Sequence, residues 1–255
     1  MKRLLFISIG TLFVTLGCQF IHEFINPQGL GLTPQFINHP RPELTVDFSA
    51  FEKAGCPENE YGMRSCEPDS QLGELGCTSI QEPASLLGGL EPAYPLAICY
   101  VEPLANSEET NPEFPEEGTY FYASGGLYPR YVRYVIYKDG NFELIQNENE
   151  FKATYAPVDS AEEALSFALA VRKVSAYYDL QPDQNLKYEV KSIEDTHVDV
   201  TDVGYQVQVY FYQAFGCGPH YTYDVDLLVT QQGEIEELSK EAIFRNPEED
   251  DLCVD

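Results

Sequence analysis

The residues best suited by type and spacing to do chemistry lie in the C-terminal half of the chain. Cys217-Gly218-Pro219-His220 sets a thiol three residues from an imidazole. A neighbouring His lowers a thiol's pKa and raises its thiolate fraction, so the pair could serve as a redox centre. It could also hold zinc if further ligands joined it, but the chain has four His and two of them precede residue 40. The third reading is structural and is the expected one. Gly-Pro between two strand-like runs is hairpin geometry, and a disulfide from Cys217 would cap that turn.

His197 is flanked by Asp195, Asp199 and Asp202. Strand alternation puts Asp195, His197 and Asp199 on one face. Such a face suits a carboxylate-assisted His or a cation site, and it is equally the solvated face of an edge strand. Glu248-Glu249-Asp250-Asp251 offers oxygen ligands without the spacing or glycine of an EF-hand loop, and reads as a solvated tail. Tyr210 and Tyr212 share a strand face with Gln206 and Gln208. Their rings could meet a protein or glycan partner, although Tyr also fills half-buried sheet positions well. The ligand-contact candidates are therefore Tyr210, Tyr212, His197, Asp199 and His220. No catalytic residue, metal or cofactor is assigned. The chain has no phosphate-cradling glycine loop, no Gly-x-Ser-x-Gly elbow and no His-Glu-x-x-His helix.

These residues must be positioned by regular elements, which begin near Thr119. Tyr131 to Tyr137 and Phe142 to Ile145 flank Lys138-Asp139-Gly140, a hairpin signal. Pro157 to Tyr178 reads as the main helix, with Ser160 as N-cap and Glu163 completing a capping box. Ala161, Ala164, Leu165, Ala168 and Leu169 form one apolar face, and the small alanines allow close packing on a sheet. Five strands come next: Lys187 to Ile193, His197 to Val200, Tyr205 to Tyr212, Tyr221 to Val229 and Ile235 to Phe244. Their alternation predicts antiparallel strands with one buried face. The predicted fold is α+β, one main helix on an antiparallel sheet. This element order is similar to that of cystatin-like and PepSY-type modules, a resemblance that says nothing about activity.

Residues 46–118 are rich in Cys, Pro, Gly and Glu and read as a loop-rich segment stapled by disulfides. Its boundary with the 119–255 region falls in the polar stretch 108–118. Setting Cys18 aside, Cys56, Cys66, Cys77, Cys99, Cys217 and Cys253 allow three bridges in 15 pairings. Shorter loops close more readily, which favours two bridges within the first four cysteines and Cys217–Cys253 in the second pair. Residues 18–45, with Pro27, Pro34, Pro40 and Pro42, read as a tether.

The N-terminus has the layout of an export signal: basic Lys2 and Arg3, then an uncharged apolar run from Leu4 to Leu16. That run is short of the roughly 20 residues of a spanning helix. Thr15-Leu16-Gly17-Cys18 resembles the lipobox of bacterial lipoprotein precursors. The resemblance implies cleavage after residue 17, lipid on Cys18 and attachment to a membrane, the outer one in a cell with two, because Gln19 is not the Asp that marks inner-membrane retention. Cleavage would remove Lys2 and Arg3 but no acid, moving the net charge from −27 to −29. So acidic a surface repels phosphate backbones and excludes nucleic acid as a partner. The expected partners are the membrane, through the lipid, and a protein or glycan. The expected function is a non-catalytic binding or interaction module outside the cytoplasm; the alternatives are a cell-envelope cation or small-ligand binder and an enzyme with an unfamiliar site.

Overall fold

The computed structural model describes residues 33–60, 63–102, 114–126 and 129–254, within one compact unit, Thr33–Asp255. The export run, Cys18 and the first part of the tether lie outside the described residues, as do 103–113. No described helix is long and apolar enough to cross a membrane.

The class is α+β, dominated by antiparallel strands. One sheet has the order His197–Thr201, Gly204–Tyr212, Tyr221–Val229, Ile235–Arg245, Lys187–Tyr188. The second large sheet runs Arg64–Ser65, Ser79–Gln81, Leu96–Val101, Tyr131–Lys138, Tyr122–Ala123, with Asn141–Ile145 also pairing Tyr131–Lys138, and two two-stranded ladders join Gln35–Ile37 to Ser192–Glu194 and Gly216–Cys217 to Cys253–Val254. The hairpin turns at Asp139 and Gly140, both with positive φ (51° and 85°), the backbone that a two-residue Asp-Gly turn requires.

The main helix spans Ala161–Val171, and Ser160 accepts from the Glu163 N–H. The Glu163 carboxylate accepts in return from the Asp159 N–H, one residue earlier than the capping box places it. The helix is not apolar on one face alone. Ala164, Leu165, Ser166, Phe167, Ala168, Ala170 and Val171 are all buried, because the helix shares one core with side chains of both sheets, among them Tyr134 and Ile136 from one and Val207, Val225 and Leu227 from the other. The 3-10 turn Ser85–Gly89 lies directly against it. Ser166 Oγ donates to the Leu86 carbonyl and accepts from the Gly89 N–H at 3.0 Å. A Cβ on Gly89 would come within 2.5 Å of the Glu162 carbonyl oxygen, so only glycine permits this approach.

Several expectations are corrected. The helix ends at Val171 and not near Tyr178. Past it the chain is extended, and Ser175 exchanges both backbone hydrogen bonds with Tyr210, at 2.7 and 2.8 Å. Tyr210 lies beyond the point where His197 pairs with Gln208, so its backbone groups are open to this partner. A second helix, Glu148–Tyr155, was not anticipated; Asn147 caps it through the N–H groups of Asn149 and Glu150. The stretch Lys187 to Ile193 is two short strands in different sheets.

The domain organisation also differs. Leu96–Val101 pairs along its whole length with Tyr131–Lys138, so the cysteine-rich segment and the region after it share a sheet across the expected boundary. Residues 33–45 are not a free tether. Gln35–Ile37 pairs in parallel with Ser192–Glu194, Leu44 packs on the core, and Thr45 lies so close to Gly88 that a Cβ there would be 2.2 Å from its carbonyl oxygen. Its apolar residues hold this strap down. The disulfides join Cys56 to Cys66, Cys77 to Cys99 and Cys217 to Cys253.

Candidate functional site

The strap determines where the site forms. Its parallel register ends with Ile37 opposite Glu194. The next residues of each segment, Asn38-His39 and Asp195-Thr196-His197, therefore run side by side. Asp195 ties them together. Its buried carboxylate accepts from Asn38 Nδ2 (3.0 Å), the His39 N–H (3.3 Å), the Asp179 N–H (2.9 Å) and the Leu180 N–H (3.0 Å). Burial pushes its pKa up, but these donors outweigh burial and hold it below the usual value.

On that base the His39 and His197 rings stack, with centroids 4.1 Å apart and planes within 15°. His39 Nε2 lies 3.2 Å from Glu194 Oε2, and His197 Nε2 lies 4.0 Å from the same oxygen and 3.6 Å from Asp199 Oδ2. His197 Nδ1 is 2.9 Å from the Asp195 carbonyl oxygen, which can only accept. That nitrogen therefore donates, and when the ring is neutral Nε2 keeps its lone pair. Tyr210 donates its hydroxyl to the Glu194 carbonyl, so the backbone of the third group is also held.

Both rings line a cleft of about 210 Å³ whose other walls include Pro40, Leu165, Tyr178 and Val198. Burial raises the Tyr178 pKa to about 12, with Arg41 nearby opposing the shift. The arrangement offers two imidazoles on the rim of a small, largely apolar recess, with the Glu194 carboxylate beside them. Such a rim can hold a cation or orient a polar ligand.

The remaining sequence candidates fare differently. Tyr210 is fully buried and stacks on Tyr177 at 4.8 Å, so it presents no ring to a partner. Its strand is covered on both faces at that point, where alternation alone implied one. Tyr212 is exposed and donates to Glu249 Oε2 at 2.9 Å. His220 is buried, with Nδ1 3.0 Å from the Gln213 carbonyl oxygen and Nε2 3.2 Å from that of Leu252. Cys217 is in a disulfide, so neither a thiolate nor a free imidazole is on offer there. Asp202 is exposed in the turn after His197–Thr201. The acidic tail is anchored: Glu249 accepts from Tyr212 and Asn246, and Asp250 pairs with Arg245.

Sequence reasoning missed His39 and Glu194. His39 sits in a proline-rich stretch 158 residues from His197, and no local pattern links them. The one available signal was Gln35-Phe36-Ile37, which ends in an aromatic and a β-branched residue but is too short to be read as a strand. Among known proteins, no family model, no curated protein and no solved structure matches the chain.

Proposed function

We propose that this protein is an exported, non-catalytic binding module, anchored to a membrane by a lipid on Cys18, that takes a cation or small ligand at the His39–His197 corner. The observation that carries the binding half is the convergence of two imidazoles with the Glu194 carboxylate over a single buried carboxylate, the two imidazoles also lining one cleft. The export half is supported by pairing of all six cysteines among the described residues, which fits an oxidising compartment outside the cytoplasm. The lipobox-like Cys18 and the absence of Asp at residue 19 favour the outer membrane in a cell that has two. A protein or glycan partner docking on tyrosines is the weaker reading, because Tyr210 is buried and only Tyr212 of that pair remains at the surface.

Fractionation with labelled palmitate tests the anchor. The wild type incorporates label and sediments with membranes; Cys18→Ser incorporates none and is either released or left as a longer precursor. An intact mass showing an unmodified wild-type N-terminus downstream of Cys18 overturns the lipid anchor.

A further inference from the structure

We propose that His39, His197 and Glu194 form a site for one divalent transition-metal ion of the zinc class; this rests on reading the same corner as the binding site. Two neutral imidazoles and a carboxylate are the donors that borderline divalent ions prefer, whereas calcium and magnesium take oxygen alone.

The geometry is close to what an ion needs. One ligand atom from each of the three residues lies within 4.8 Å of the other two. Bonds of about 2.0–2.1 Å in a tetrahedron set ligand atoms roughly 3.4 Å apart. The 3.2 Å separation of His39 Nε2 and Glu194 Oε2 already meets that, and the 4.0 Å separation of His197 Nε2 and Glu194 Oε2 is within reach of a small rotation. The stacked rings hold their Nε2 atoms beside one carboxylate oxygen, and His39 Nε2 donates to it at 3.2 Å, so an ion must displace that proton and splay the rings. Both rings border the open cleft and are partly exposed, which leaves room for that movement.

A second observation points the same way. Metal-bound His residues commonly donate their other ring N–H to a carbonyl or carboxylate, which fixes the tautomer. His197 already does this through Nδ1 to the Asp195 carbonyl. Through its side chain Asp195 also holds the His39 backbone, so one residue orients both imidazole arms. Asp199, mostly exposed and 3.6 Å from His197 Nε2, lies outside the three-residue group and would have to turn toward the ion to be a fourth donor; a ligand or water is the alternative. The carboxylates of Glu194 and Asp199 would neutralise the ion, and the acidic surface raises local cation concentration.

The test is titration of Zn²⁺ into the full chain in non-ionic detergent, by calorimetry and by equilibrium dialysis with elemental analysis. Millimolar Mg²⁺ is present to occupy sites made of oxygen alone. The expected result is one Zn²⁺ per chain, with the His39 and His197 ring-nitrogen resonances shifting on addition and those of His220 unmoved. His39→Gln and His197→Gln should each weaken binding by more than the roughly 10–100-fold that loss of an outer supporting group costs. His197→Gln also removes the bond to Asp195 and could perturb folding. His39→Gln, whose ring bonds Glu194, then decides the matter, with circular dichroism as the control. A wild type that binds no Zn²⁺ overturns the metal site, as does Zn²⁺ bound equally well by the two variants. Either result leaves the membrane anchor standing, since palmitate labelling decides that separately.

Discussion

Two corners of this molecule are built around histidine, and they differ in what the ring nitrogens face. At the hairpin tip His220 is buried, with a carbonyl oxygen at each nitrogen and a disulfide beside it. At the strap, His39 and His197 are partly exposed and line a cleft, and their Nε2 atoms face carboxylates. The first corner uses polar groups to close a structure. The second holds its backbone rigidly through Asp195 and keeps its side-chain tips partly exposed, paired only with carboxylates. The Cys-Gly-Pro-His motif had the stronger local signal for chemistry, yet it became scaffold. A pair of histidines with no shared motif became the candidate site.

The comparison breaks most visibly if the two corners are not separable. Replacing Cys217 and Cys253 with Ser opens a loop whose ends are 36 residues apart, a loss of about 4 kcal/mol by the loop-closure argument. The melting temperature should fall clearly while Zn²⁺ titration stays unchanged. A zinc site lost along with the bridge would show that the hairpin tip supports the strap.

Asp195→Asn should produce a smaller loss of stability but reach both functions of its corner. It removes the charge from a group that accepts four hydrogen bonds, for which about 2–3 kcal/mol is expected by denaturant unfolding, and it should weaken Zn²⁺ binding. The pH dependence has a definite sign. Because the folded pKa lies below 3.8, the Asp195 contribution is complete above that value and is lost as pH falls through the lower folded one. The stability difference between wild type and variant should therefore shrink in acid. A difference that persists unchanged at the lowest pH contradicts this account.

The smallest expected effect comes from Asp224→Asn. Gln208 Nε2 donates to Asp224 Oδ1 at 2.7 Å. Burial raises the Asp224 pKa, and the charges of Asp226 and Glu194 add to the rise while the Gln208 bond and His197 oppose it. A raised folded pKa means that ionisation destabilises the fold as pH rises, and that the effect is absent below 3.8. At neutral pH the variant should be more stable by about 0.5 kcal/mol, with no difference in acid. A destabilised variant would mean that the Gln208 contact needs the charge, so that the carboxylates around His197 support the fold rather than strain it.

The C-terminal strands were legible because their signals are local. Tyr221–Val229 occupies the predicted residues, and the Asp-Gly hairpin turns where it should. Helix Glu148–Tyr155 was missed because it is short and polar, burying only Phe151 and Tyr155, and its cap, Asn147, lies in a run of Asn and Glu that reads as loop. The second half of the predicted Pro157–Tyr178 helix failed for a different reason. Its periodicity was adequate, but Ser175 gains two strand-type bonds to Tyr210 that no helix offers at that place. Tyr210 remained a candidate contact because alternation identifies two faces without saying whether both are covered. Tyr177, stacked on its ring, supplies the cover from outside the strand.

By itself the sequence determined the α+β class, the long strands from Tyr131 onward, the Ser160 cap, the acidic surface and the presence of six cysteines able to pair. These depend on residue type, on periods of two and 3.6, and on spacing along a few turns of chain. Only the tertiary structure decided that the cysteine-rich segment shares a sheet with the region C-terminal to it, that the strap is docked, and that His39 meets His197 and Glu194. The first rests on the ladder between Leu96–Val101 and Tyr131–Lys138, and the other two on a three-residue parallel pairing and one buried carboxylate that join segments more than 150 residues apart. Contacts of that kind leave no period in the sequence, because each partner sees the other only after the chain has folded.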